Sequence, residues 1–274
     1  MKIRAFIYLL FLLSICSCEE KTDWDIQTGP TDALVIDAMI TNEYKYQTVR
    51  LTRPFPDPNG QAVPVTGADV AVTMDDAVLS FVEEPGYPGT YSSKIKVAGT
   101  IDKQYTLVVR YEDQVFNAQT TMIPVIPSWP LVIVPVDGSD TMRTLEWIAP
   151  EYKPEDLAMY QVDIDWSHLV EPGSGDTLTY ARLFRYTLNT IDVNYVIFPQ
   201  DKEEVYFPVG SILIARKFSV TEDYGNYLRA LLSETEWQGS LFEEIRGNLP
   251  TNISNGGLGY FSACSVVADT IVVK

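Results

Sequence analysis

From residue 33 onward, apolar and β-branched positions come in short runs separated by turn-forming residues. The runs cover 33–40, 48–53, 68–74, 78–82, 90–97, 105–111 and 115–122, and they are rich in Val, Ile, Thr and Tyr. Between them stand Asp57-Pro58-Asn59-Gly60, Asp75-Asp76, Pro85-Gly86, Pro88-Gly89 and Glu112-Asp113. Runs of this length and spacing predict seven strands of a β-sandwich over 33–123. The next stretch, 124–136, is the most apolar after the N-terminus, but Pro124, Pro127, Pro130 and Pro135 forbid a continuous helix there. It reads as an extended linker, with Trp129 expected to pack between the flanking domains.

Residues 137–274 predict a second β-rich, fibronectin-like domain, with strands over 143–148, 159–166, 178–187, 194–198 and 211–218. Period-two alternation puts Tyr180, Arg182, Phe184 and Tyr186 on one face. Arg182 fits a buried face poorly, so that face is expected to be only partly covered. One helix interrupts the pattern. Ser219-x-x-Glu222 resembles a capping box, Tyr224, Tyr227, Leu228, Leu231 and Leu232 follow at helical spacing, and Gly239 stops the run. The predicted helix spans 221–238, and its apolar stripe is expected to pack on the domain's own sheet. A turn around Gly256, Gly257 and Gly259 then feeds strands over 260–268 and 270–273. The fold class expected is mainly β: two sandwich-like domains, the second with one inserted amphipathic helix.

The N-terminus has a different pattern. Lys2 and Arg4 precede an apolar run over 5–15, which reads as a secretory signal too short to span a bilayer. Ile15-Cys16-Ser17-Cys18 resembles the bacterial lipobox, with Ile15 at −3 and Ser17 at −1. That resemblance makes 1–17 a cleaved signal, Cys18 the lipidated residue and 18–32 a polar tether. Cys16 fits worse, because Ile15 would then occupy −1. Multiple acyl chains hold a protein stably on a membrane where one does not. The acidic stretch Glu19-Glu20-Lys21-Thr22-Asp23 resembles the export signal of surface lipoproteins in Bacteroidota. The implied location is the outer membrane, lipid-anchored and facing the cell surface.

Charge and cysteine content narrow the partners. Cleavage removes two of the 20 basic residues and none of the 37 acidic ones, leaving 257 residues with a net charge of −19. Such a body is repelled by phosphate backbones and by anionic lipid heads, so nucleic acid is not expected as a partner, and the lipid is expected to do the membrane work. Cys264 is the only cysteine left after Cys16 and Cys18, so no internal disulfide can form.

Two stretches resemble known families. Pro64-Val-Thr-Gly67-Ala68-Asp-Val70-Ala-Val72, Gly89-Thr-Tyr91 and Gln104-Tyr105-Thr-Leu107-Val-Val109 resemble prealbumin-like domains of the carboxypeptidase-regulatory type. Leu34-Val-Ile36-Asp-Ala-Met-Ile40-Thr-Asn42, Tyr227-Leu-x-x-Leu231, Asn248-Leu-Pro-Thr-Asn252-Ile and Gly256-Gly-Leu-Gly259-Tyr-Phe261-Ser-Ala resemble a Bacteroidota lipoprotein family of unknown function, DUF4249. The resemblance implies an accessory protein of TonB-dependent outer-membrane transporters. It implies no catalytic residues and no cofactor.

The residues themselves offer little chemistry. The single histidine, His168, has no Gly-x-Ser-x-Gly elbow to serve. Asp163 and Asp165 share a strand face with His168 nearby, but His168 lies at an odd offset from Asp163 and faces away on a straight strand. These three are the nearest approach to a metal set, and no metal is expected. Asp140-Thr141-Met142, Asp176-Thr177-Leu178 and Asp269-Thr270-Ile271 resemble the O-glycosylation pattern of Bacteroidota, making Thr141, Thr177 and Thr270 candidate acceptors. The expected function is a non-catalytic accessory or binding component of a TonB-dependent uptake system, with its ligand unnamed. A surface adhesin is the competing binding reading, and a carboxylate-based hydrolase is the enzymatic one.

Overall fold

The computed structural model describes residues 32–54, 61–127, 131–147, 153, 155–170, 178–188, 204–235 and 249–274. The signal 1–17, Cys18, the tether up to residue 31, the turn at 57–60, Trp129, Thr177, the strand expected at 194–198 and the helix end at 236–238 lie outside these residues. The described chain is mainly β, with one α-helix.

The seven expected strands of the first region form, and a two-residue strand is added beside β2; in chain order they are β1 (Val35–Thr41), β2 (Thr48–Arg53), the added β3 (Val63–Pro64), β4 (Asp69–Met74), β5 (Ala77–Glu83), β6 (Thr90–Ser93), β7 (Gln104–Tyr111) and β8 (Gln114–Thr121). Alternation buries Ile36, Ala38 and Ile40 of β1 against Val49, Leu51, Val70, Leu107, Val109 and Phe116. Each such side chain contributes about 1.5–3 kcal/mol on burial. β5 serves two neighbours: Ala77 to Ser80 pair with β4, and Phe81 to Glu83 pair with β6. Gly89 shows why glycine stands at the β6 entry. Its φ is +75°, and a Cβ there would meet the Leu51 carbonyl oxygen at 2.6 Å.

The C-terminus corrects the division of the chain into 33–123 and 137–274. β15 (Leu258–Cys264) runs parallel to β1, in register from Val35 and Leu258 to Thr41 and Cys264. It thus completes the first sheet, whose order is β15-β1-β2-β6-β5-β4-β7-β8. The two ends of that path are joined as well. Ile123 bridges to Cys264. Asn252 donates from Nδ2 to the Gln119 and Phe261 carbonyls at 3.2 and 2.8 Å, and accepts from Phe261 N at 3.0 Å. Gly259, with φ +86°, lets the strands approach so closely that a Cβ there would lie 2.1 Å from the Ile36 oxygen.

After Ser265 the chain continues as β16 (Val266–Val272), which pairs with β14 (Ile212–Ser219) in a second sheet. That sheet has the order β12-β11-β14-β16, with β11 at Ala158–Asp165 and β12 at Tyr180–Thr187. A three-stranded sheet packs on its core face, formed by β9 (Leu131–Pro135), β10 (Met142–Trp147) and β13 (Phe207–Pro208). Here the linker expected at 124–136 is corrected: its last part is β9, paired with β10 from Pro135 and Arg143 to Leu131 and Trp147. Proline is tolerated because β9 is an edge strand and Pro135 stands at its end.

The helix α1 (Glu222–Thr235) forms where the periodicity placed it. Its cap differs from the expected one. Thr221 Oγ1 accepts from Tyr224 N at 3.3 Å, while the Ser219 hydroxyl donates to the Ile123 carbonyl at 2.8 Å. The helix covers the outer face of β15 as well as Met159, Phe218 and Val266 of the second sheet. Tyr260 stacks on Tyr224 and Tyr227 with ring centres 5.2 and 4.9 Å apart.

Candidate functional site

Alternation gives the second sheet two unlike faces. Val162, Ile164, Leu213 and Ala215 point into the core beneath β9 and β10. On the other face, α1 covers the Met159 and Phe218 end, and the rest carries Gln161, Asp163, Asp165, Arg182 and Arg216, whose strands are in register. Tyr180 and Phe184 stand on this face 42% and 45% exposed, as expected from the misfit of Arg182.

Asp163 is the hub. Its Oδ1 accepts from the Tyr180 hydroxyl and from Arg182 Nε, each at 2.5 Å. Its Oδ2 accepts from Gln161 Nε2 at 2.8 Å and Arg216 Nη1 at 2.6 Å. Burial opposes ionisation of Asp163, but the hydrogen bonds from Tyr180, Arg182 and Gln161 outweigh it and hold the carboxyl below its ordinary value. The network continues into the β1–β2 connection. Arg216 Nε donates to Glu43 Oε1 at 3.1 Å, and Lys45 Nζ donates to Glu43 Oε2 at 2.9 Å. Beyond Lys45, Lys96 Nζ lies 5.6 Å from the centre of the Tyr46 ring. The result is a strip of basic and aromatic side chains running from the tip of the first sheet across the open face of the second.

The remaining candidates sit apart. Asp165 shares the face of Asp163 and accepts from Ser167 N at 2.8 Å. His168 lies in a 3-10 turn, Ser167–Leu169, with Nε2 3.1 Å from the Gly210 carbonyl oxygen. Both Asp163 oxygens are already taken by guanidinium, phenol and amide donors, so it is no free metal ligand. Among the described residues, no three His, Cys, Asp or Glu are close enough to hold a metal. Thr141 and Thr270 are both exposed. Lys217 is a feature the sequence reading missed. It is fully buried, 2.7 and 2.9 Å from the two Asp156 oxygens, and the signal was its place in the inward alternation with Leu213 and Ala215. Cys264 is buried on β15, and burial pushes its thiol up to about 12, only partly offset by a hydrogen bond with Ser262. A chain of residues 18–274 with Cys18→Ser is therefore expected to show almost no thiol titre with Ellman's reagent at pH 8, and one equivalent after unfolding in urea. A full titre in the native state would overturn the burial of Cys264.

The C-terminal motif now has a physical reading: Asn252 ties β15 to the end of β8, and Gly259 permits the close approach of β15 to β1. A family model covers residues 19–270. The chain belongs to the family described as Domain of unknown function (DUF4249). No curated protein matches this DUF4249 chain. Among solved structures it is similar to a two fibronectin type-III domain segment from chicken tenascin, at 12% identity over 69% of this chain and 92% of that one, with a TM-score of 0.20.

Proposed function

We propose that this DUF4249 chain is a non-catalytic lipoprotein of a Bacteroidota outer membrane, anchored through Cys18, facing the cell surface and acting as an accessory or binding component of a TonB-dependent uptake system. The lipobox and the acidic stretch after Cys18 support the anchor and its leaflet. The prealbumin-like phrases of the first region fit a binding scaffold. The observation that carries the binding reading is the open face around Asp163. It presents aromatic rings and guanidinium groups on rigid strands, with the charges held in place by one another, as binding surfaces require. No catalytic role is assigned to any residue and no cofactor is invoked. The partner in this reading is the transporter, with the ligand arriving as its cargo.

The test is a gentle-detergent pull-down of the tagged native lipoprotein, with mass spectrometry of what co-purifies. Recovery of a stoichiometric TonB-dependent transporter is the expected result. A partnerless lipoprotein would sink the stable-complex form of the reading and shift the assignment to a surface adhesin.

A further inference from the structure

The chain carries a net charge of −17, yet its structure gathers basic side chains at one tip. Two segments far apart in sequence meet there. Val97 N donates to the Lys45 carbonyl at 3.0 Å, which sets Tyr44, Lys45 and Tyr46 beside Lys94, Ile95 and Lys96. The platform beneath is rigid. Gln47 is fully buried, donates from Nε2 to the Thr41, Glu43 and Val97 carbonyls, and accepts from Thr41 N at 3.0 Å. Its own N–H donates to Ser93 Oγ at 2.9 Å. Above this staple the side chains face solvent: Tyr44 is 75% exposed, Ile95 61% and Tyr46 50%.

We propose that this tip docks on phosphate-bearing anionic lipid headgroups at the membrane surface. Three features select that occupant. The lysines supply charge complementarity, each expected to shift partition about fivefold near an anionic surface. Exposed tyrosines match the headgroup level, where one end of the ring is apolar and the other wet, and Ile95 supplies an apolar contact between Lys94 and Lys96. The acidic remainder of the body does not forbid the contact, because screening confines its repulsion to about 8 Å at physiological salt. Along the strip from the tip to the open face stand Lys45, Lys94, Lys96, Arg182 and Arg216 and the carboxylates Glu43, Asp163 and Asp165; Lys45 pairs with Glu43, Arg182 with Asp163, and Arg216 with both.

The inference rests on the proposed anchoring only for bringing a membrane within reach. The chain between Cys18 and Asp32 can extend at most about 3.5 Å per residue, or roughly 50 Å. The strand β1 from its start to the tip covers only about 20 Å at 3.3 Å per residue.

The test uses the full mature chain with Cys18→Ser, so that no acyl chain contributes. It is mixed with vesicles of equal parts phosphatidylglycerol and phosphatidylcholine, or of phosphatidylcholine alone, and sedimented. At least tenfold stronger partition onto the anionic vesicles is expected, weakening with salt. A Lys94→Glu, Lys96→Glu double variant is expected to lose at least tenfold, and Tyr44→Ser with Tyr46→Ser to weaken binding to both vesicle types. Thermal melts of the variants matching the parent exclude misfolding as the cause. Equal partition onto the two vesicle types, undiminished binding by the lysine variant, or no vesicle binding alongside capture of an acidic protein would each overturn the proposal. None of these results bears on acylation, which the intact mass of the native protein decides separately.

Discussion

Gly259→Val is expected to destabilise the protein by at least about 4 kcal/mol, enough to leave much of it unfolded or insoluble. Two penalties add. The residue has φ +86°, a region that a β-branched side chain adopts only under strain. A Cβ would also sit 2.1 Å from the Ile36 oxygen and 2.9 Å from the Ile36 carbonyl carbon, and both are backbone atoms of a central strand. They cannot yield without opening the parallel pair of β1 and β15. Gly138→Ala separates the two terms. Gly138 has φ +79° but nothing within 4 Å of its Cβ position, so it should cost only about 1 kcal/mol. Urea titrations of both variants check this, and a Gly259→Val midpoint close to the parent's would show that β1 and β15 do not approach as described.

Asp163→Ala is the second large effect. It removes the acceptor of four donors and leaves Arg216, whose side chain is 23% exposed, with Glu43 as its remaining carboxylate among the described residues. Breaking a largely buried pair from one side costs about 3–5 kcal/mol, and the half-exposed Arg182 lowers the expectation to about 2–3 kcal/mol. The pH dependence fixes the cause. Because Asp163 titrates below its ordinary value of 3.8 in the folded protein, its contribution is fully present above that value and disappears as pH falls through the folded value. Parent and variant should therefore differ by a constant amount from neutral pH down to about pH 5, and converge below pH 3.8. A difference that persists unchanged into acid would assign the effect to packing. The same variant should disorder Tyr180 and Arg182, so its recovery of partners in the pull-down should fall as well.

Local pattern explains most of what could be read from the sequence. The run 48–53 is β2, and the runs 68–74, 105–111 and 159–166 come within one residue of β4, β7 and β11 at each end. Each carries its own alternation and turn signals. The run 90–97 stops at Ser93 because Gln47 and Val97 draw the chain into the tip. β9 was hidden by prolines that an edge strand can hold. The pairing of β15 with β1 left no local trace, because a parallel partner more than two hundred residues away alters nothing in either strand's own pattern. The site was half legible. Arg182 among aromatic residues betrayed an open face, but nothing in the sequence joined Glu43 to Arg216, or Lys45 to Val97. The first contact exists because the β1–β2 connection lies against β14, and the second because two connections of the first region bridge at the tip.

The parallel pair has a consequence for how the chain is made. β1 emerges early in synthesis, but one of its two neighbours is among the last segments to appear. Until then its β15 edge is an unpaired row of amides and carbonyls beside a core that lacks Phe261 and Ala263. Contacts this distant in sequence slow folding, because the loop must close before any pairing rewards it. Completion of the first sheet therefore waits for the C-terminus. On the proposed export route, a chain threaded from its N-terminus would lack this pairing until β15 had followed it across the membrane.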